Sequence, residues 1–303
     1  MLVFDIVIPG TWLNYDSTAA ACAAAAFAVD YDGNAHVAPE FADYGDDAAA
    51  AQAAHAAARA IESWVSKTEG QLRSLQSKFF EANLALNLFN SAQCQSITAA
   101  DHRDRLLRAM ERRREIREAV EQERGRHTSR EDWEQVSLEV EIQFNREQWA
   151  SGQLPMVFEH SIPHLYARSF IFALDGFDRH LEALAKTDGV PAELVKIHER
   201  VGLEFPHLRN VRNTAHHTEK RGLSLDRKWK PIKLKPVDNG FAKVQGGTTI
   251  LDGLHGSRYG ATMENGRYGS VDVSAASMEK LRAILLDVLH SFPWKGPKEH
   301  APK

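Results

Sequence analysis

The pattern that most limits what this chain can fold into lies between residues 157 and 186. Val157, Phe158, Ile162, Leu165, Tyr166, Phe170, Ile171, Phe172, Leu174, Phe177, Leu181 and Leu184 recur at helical spacing, the rhythm of 3.6 residues per turn. So many large apolar groups cannot be dried by one narrow stripe, so the predicted helix is heavily buried and needs other helices around it. The material for such a core is present: 303 residues, 43% of them hydrophobic and 26% charged, fit one large globular domain or two ordinary ones.

Around this helix the chain reads as two halves, 1–150 and 151–303. Residues 2–8 and 25–31 look like short strands, with Asp32-Gly33-Asn34 as a turn after the second. From Asp46 an Ala-rich run predicts a helix, because Ala is the strongest helix former. A second helix is expected over 70–97, with Leu72, Leu75, Phe79, Phe80, Leu84, Leu86 and Phe89 on its apolar side. Asp101 is placed to cap a third that runs to about Glu123. Residues 101–130 carry ten Arg against seven acidic residues, so a solvated face laced with ion pairs is favoured over an RNA-binding one. After a linker at 151–155 and the long apolar helix, a shorter helix over 190–202 has Pro191 near its first turn and Gly202 past its end. A helix from Pro206 to Gly222 follows, then a small β-meander or pair of hairpins at about 230–273, then an amphipathic helix from Ser274 to His290.

The segment Arg212-Asn213-Thr214-Ala215-His216-His217 stands out within this outline. At about 100° per residue, Arg209, Arg212, Asn213, His216 and His217 share one arc of the helical wheel, and Leu208, Val211 and Ala215 the other. A guanidinium grips phosphate in a fork and imidazole titrates near neutral pH. Together they suit proton transfer at a phosphodiester and relief of charge on its oxygens. Asn213 stands one turn before His217, where its amide can orient that ring. A purely structural role for the same residues is the alternative, since Arg and Asn also bridge helices.

Arg212, Asn213 and His217 fit R-N-x-x-x-H, and the helices before and after them make the segment similar to the HEPN (higher eukaryotes and prokaryotes nucleotide-binding) superfamily. The resemblance covers roughly residues 155–292. It implies a mainly α, HEPN-like helical bundle; the β insertion at about 230–273 departs from the family by separating the motif helix from the last helix, and the region before residue 150 is read as mostly helical from its own periodicities. The resemblance further implies RNA cleavage without a metal or other cofactor, at a composite site across a homodimer, in a defence or toxin system. By the same resemblance Arg212 holds phosphate, Asn213 orients and His217 is the acid/base. Arg209 and His216 supply a second register, which leaves the acting His open. Glu219 occupies the place where a Tyr is common in the toxin members. Non-catalytic binding of RNA, nucleotide or protein is the other outcome the family allows.

Other features carry less. The stretch 226–235 is basic with Trp229 interleaved, and Lys228, Trp229 and Lys230 are candidate RNA contacts; an exposed β edge guarded by Lys is the alternative. His216, His217 and Glu219 make a poor metal set because adjacent helical residues diverge by about 100°. His164 and His180 are expected as packing histidines. Residues 253–260 and 265–269 lack the setting of a phosphate-binding Gly-rich loop and read as turns. Cys22 and Cys94 form no metal or redox spacing, so a reducing cytoplasm is expected. The net charge of −4 argues against a wholly basic coat protein for nucleic acid. The Ala-rich run at 19–29 is too short to cross a bilayer.

Overall fold

Ala-rich sequence from Asp47 onward favours helix, and nothing interrupts it until Cys94. In the computed structural model the 48 residues Asp47–Cys94 form one helix, α1. The structure describes residues 1–14, 28–29, 35–36, 47–94, 99–124, 130–238 and 243–302. The expected separation into two helices near residue 70 is therefore corrected. Gly70 lies inside α1 with open space around it, and one Gly costs a helix only about 1 kcal/mol against many strong formers. Val65, Thr68, Leu72, Leu75, Phe79, Ala82 and Leu86 are buried at alternating three- and four-residue steps, which draws one dry seam along the helix. Leu84 lies off that seam and is exposed.

The remaining helices are α2 (Ala99–Arg124), α3 (Arg130–Ala150), α4 (Met156–Ala185), α5 (Glu193–Glu204), α6 (Leu208–His216), α7 (Thr218–Gly222) and α8 (Ala275–His290). The protein is mainly α, as the periodicities predict. The described residues divide into two compact units, Met1–Asn87 with Ala167–Lys303, and Leu88–Tyr166. The boundary expected near residue 150 falls inside the second unit.

The second unit is built on an antiparallel-style helical pair. Ile116 and Val120 of α2 pack with Val136, Val140 and Phe144 of α3, the latter three at i, i+4 and i+8. The arginines of α2 then meet carboxylates of α3: Arg112 with Glu147 at 2.9 Å, Arg113 with Glu141 at 2.7 Å and Arg124 with Glu139 at 2.8 Å. The Arg113 guanidinium also lies 3.9 Å from the centre of the Phe144 ring. The mixed-sign run is thus an ion-paired face, but its pairs cross between helices as well as running along one.

The first unit holds the long apolar helix from Ala167 onward. Phe170, Ile171, Leu174, Phe177, Leu181 and Leu184 of α4 are fully buried, together with Leu194 and Val201 of α5, Val211 of α6 and six apolar residues of α8. Val157, Phe158 and Leu165, expected to be buried with them, lie in the second unit and are exposed. Gly202 lies inside α5, which ends at Glu204 with Phe205 as its C-cap, rather than past its end. Ser274 caps α8 by accepting the Ser277 N–H at 3.3 Å.

The β insertion forms two pieces. Strands β5 (Val237–Asp238) and β6 (Lys243–Val244) make a hairpin, and β7 (Gly253–His255), β8 (Arg258–Thr262) and β9 (Tyr268–Asp272) make an antiparallel meander. Gly260 is required where β8 faces β9: a Cβ there would sit 2.6 Å from the Gly269 carbonyl oxygen. At the chain ends, β1 (Ile6–Ile8) pairs antiparallel with β11 (Glu299–Ala301), and β2 (Trp12–Leu13) with β10 (Trp294–Lys295). Strands β3 (Ala28–Val29) and β4 (Ala35–His36) pair with each other; the turn expected at 32–34 lies outside the described residues. No helix among the described residues is long and apolar enough to cross a membrane.

Candidate functional site

The expected 206–222 helix is broken at its most interesting residue. α6 ends at His216, and His217 has φ −113° and ψ 49°, outside the helical region, before α7 begins. No Pro or Gly causes the break. α6 buries Leu208, Val211, Asn213, Thr214 and Ala215, and the Thr214 hydroxyl donates to the Thr262 carbonyl on β8 at 2.9 Å. The meander therefore covers the apolar side of α6, leaving the other side for α4.

That second side is where the guanidinium groups go. Arg212 Nε lies 3.1 Å from Asp175 Oδ2 on α4, and the guanidinium sits 5.2 Å from the Phe172 ring centre. The N–H is not aligned for a hydrogen bond, so this contact is an ion pair without one. Arg212 keeps 20% of its side-chain surface, while Asp175 keeps 2%. Arg179 donates to the same Asp175 Oδ2 at 2.7 Å, and Asp175 Oδ1 has no hydrogen-bond partner. Arg209 donates to Asp178 Oδ2 at 2.9 Å and to Glu182 Oε2 at 3.0 Å, and Asp178 Oδ1 meets His198 Nε2 at 3.0 Å. Lys186 first, then Arg209, pull the Glu182 carboxyl down to about 2. Although partial burial opposes it, the hydrogen bonds Arg209 donates to Asp178 and Glu182 keep it more firmly protonated than usual.

Phe172 gathers the other candidates. The His216 ring stands edge-on to it at 6.0 Å, and His216 in turn stands edge-on to His217 at 4.8 Å. Arg212 and His216 thus share the Phe172 ring, and His217 joins them through His216. His217 is 43% exposed, with Nδ1 3.5 Å from Glu219 Oε1. Asn213 departs from its expected place on the wet arc: it is 6% exposed, because α6 is covered on two sides. Its side-chain oxygen lies 3.5 Å from Arg212 Nη1, and its backbone carbonyl accepts the His217 N–H at 3.0 Å. Asn213 fixes His217 through the main chain.

The basic stretch after the motif folds into a tight loop. Asp226 Oδ1 accepts the backbone N–H groups of Lys228 and Lys230, both at 2.8 Å. These bonds, that of Lys230 foremost, hold the Asp226 carboxyl below its usual range. Trp229 takes φ +60°, a left-handed conformation uncommon for a bulky residue, and presents an exposed ring with the Lys220 ammonium 4.8 Å from its centre. Lys228 and Lys230 are exposed beside it.

The sequence pattern missed two participants. Asp175 and Arg221 looked like ordinary helix residues, yet both are buried. Arg221, with His217, Lys220, Asp226 and Arg227, lines a pocket of about 250 Å³. Among the described residues no group of three His, Cys, Asp or Glu is arranged to hold a metal ion. Comparison with protein-family models, curated proteins and solved structures returns no match for this chain.

Proposed function

We propose that this protein is a metal-independent RNA endonuclease of the HEPN type, acting as a homodimer in a defence or toxin system. The observation that carries this reading is the chain of contacts from Phe172, which meets the Arg212 guanidinium and the His216 ring, to His217, which stacks edge-on to His216. In the proposed step His217 takes the proton of a ribose 2′-hydroxyl, whose oxygen attacks the neighbouring phosphorus. The bond to the 5′-oxygen breaks, and the leaving oxygen receives the proton that His217 took up. Arg212 offsets the charge on the phosphoryl oxygens. Asp175 engages its Nε and Asn213 its Nη1, so Nη2 is the nitrogen offered to substrate. His216 shares the ring stack and is the alternative acid/base, while Trp229, flanked by Lys228 and Lys230, offers a surface on which a base stacks.

The test is cleavage of total RNA by the purified chain in the presence of a chelator. The parent protein is expected to cleave, and Arg212→Ala and His217→Ala to lose at least about a hundredfold in rate with an unchanged circular dichroism spectrum. Equal cleavage by parent and variants overturns the proposal.

One observation favours a second reading. Arg212 is tied to Asp175, and Arg209 to Asp178 and Glu182, as on a helix face that binds RNA, nucleotide or protein without turnover. RNA retained intact, with affinity that falls steeply as salt rises, selects this reading.

A further inference from the structure

The pocket beside α7 is charged in a way the RNA-cleaving cluster does not use. Arg221 is 3% exposed, and a guanidinium buried so deeply is costly unless each donor is met. Its donors are not all met. Nη1 donates to the Leu225 carbonyl at 3.0 Å, Nη2 lies 3.6 Å from Glu264 Oε2, and Nε has no hydrogen-bond partner. Lys220 and Arg227 join it on the pocket wall, with His217 at the edge towards α6.

We propose that this pocket is a binding site for a phosphate-type oxyanion, held by Lys220, Arg221 and Arg227. Two carboxylates face the bound anion's place, Asp226 on the pocket wall and Glu264 against its arginines. Asp226 spends Oδ1 on two backbone N–H groups of its own loop. Glu264 reaches Arg221 at 3.6 Å, the Arg227 Nε at 3.9 Å and the Arg227 backbone N–H at 3.4 Å. Those separations exceed the roughly 2.7–2.9 Å of a charge-assisted hydrogen bond. Glu264 is 38% exposed and free of the core, so it acts as a loose stand-in that a tetrahedral, more highly charged anion displaces. The Arg fork suits such an anion, and Lys220, the residue before Arg221, adds a point charge. The site does not depend on RNA cleavage: binding is read without turnover.

Isothermal titration of the full chain with inorganic phosphate, adenosine 5′-monophosphate and adenosine, at fixed ionic strength, tests this. Phosphate and the monophosphate are expected to bind and adenosine not to. Equal affinity for the first two identifies free phosphate as the occupant, and tighter monophosphate binding identifies a nucleotide. The double variant Lys220→Ala/Arg227→Ala, which leaves buried Arg221 in place, is expected to weaken binding about tenfold or more. Glu264→Gln is expected to tighten it about threefold, a gain that a merely structural carboxylate does not give. No binding of either phosphate ligand by the parent protein, or unchanged affinity in both variants, overturns the proposal. A parent that binds phosphate but leaves RNA intact removes the nuclease reading and keeps this one.

Discussion

At the scale of single residues, Asp175 decides how the candidate site is held. It is nearly dry, and two guanidinium groups converge on its Oδ2 while Oδ1 is left without a hydrogen bond. Removing one partner of such an arrangement strands the other, which is where buried ion pairs are costly. Asp175→Ala is expected to lower stability by about 2–4 kcal/mol, read as a shift in urea midpoint; a midpoint equal to that of the parent contradicts the assignment. Glu182 gives a pH-dependent counterpart. Its carboxyl is lowered from 4.5 to about 2 by Lys186 and then Arg209. A lowered folded value means that the contribution is present above the ordinary carboxyl range and disappears as pH falls towards 2. Glu182→Gln is therefore expected to flatten the decline in urea midpoint between about pH 4.5 and 2. An unchanged slope removes the ion pair from any stabilising role.

At the scale of elements, two glycines lie within helices and nothing stands within 4 Å of where a Cβ would go: Gly70 in α1 and Gly202 in α5. Gly70→Ala and Gly202→Ala are each expected to add about 0.5–1 kcal/mol, measured as a rise in thermal midpoint; a fall would mean that helix continuity is not what these residues limit. The same two positions show what the sequence makes legible. Long periodic runs announce helices well, so α4 and α8 stand close to their expected limits. Their ends do not: Gly70 and Gly202 look like stops, but surrounding helix formers outweigh one flexible residue. α3 escaped notice because its stripe of Val136, Val140 and Phe144 is diluted by charges that α2 pairs with. In the candidate site, the Arg and His residues and the nearness of Trp229 were readable from types and spacing. The kink at His217 was not: no Pro or Gly marks it, and the bond of Thr214 to Thr262 beside it spans 48 residues, a contact that no local pattern carries. The commitment of Arg212 to Asp175 was hidden for the same reason, with a separation of 37 residues and a different helix.

At the scale of the whole molecule, residues from opposite ends of the chain share one structure. Ile6 is buried and stands opposite Ala301, and Leu13 stands opposite Trp294. Arg282 of α8 donates to the Asp5 carbonyl at 2.7 Å, and His300 meets Asp5 Oδ2 at 2.9 Å. The His300 hydrogen bond, ahead of the other causes, holds the Asp5 carboxyl below its usual range. Directly opposed residues of an antiparallel pair lie only about 4.5–5.5 Å apart. A short flexible tether can thus join the two termini into a loop, and the chain can be opened afresh at the exposed turn Ser151–Gly152. Such a circular permutant is expected to fold with the parent's helical content and to keep whatever RNA or phosphate binding the parent shows. Order along the polypeptide would then be incidental to this molecule, and adjacency in space the thing its strands preserve.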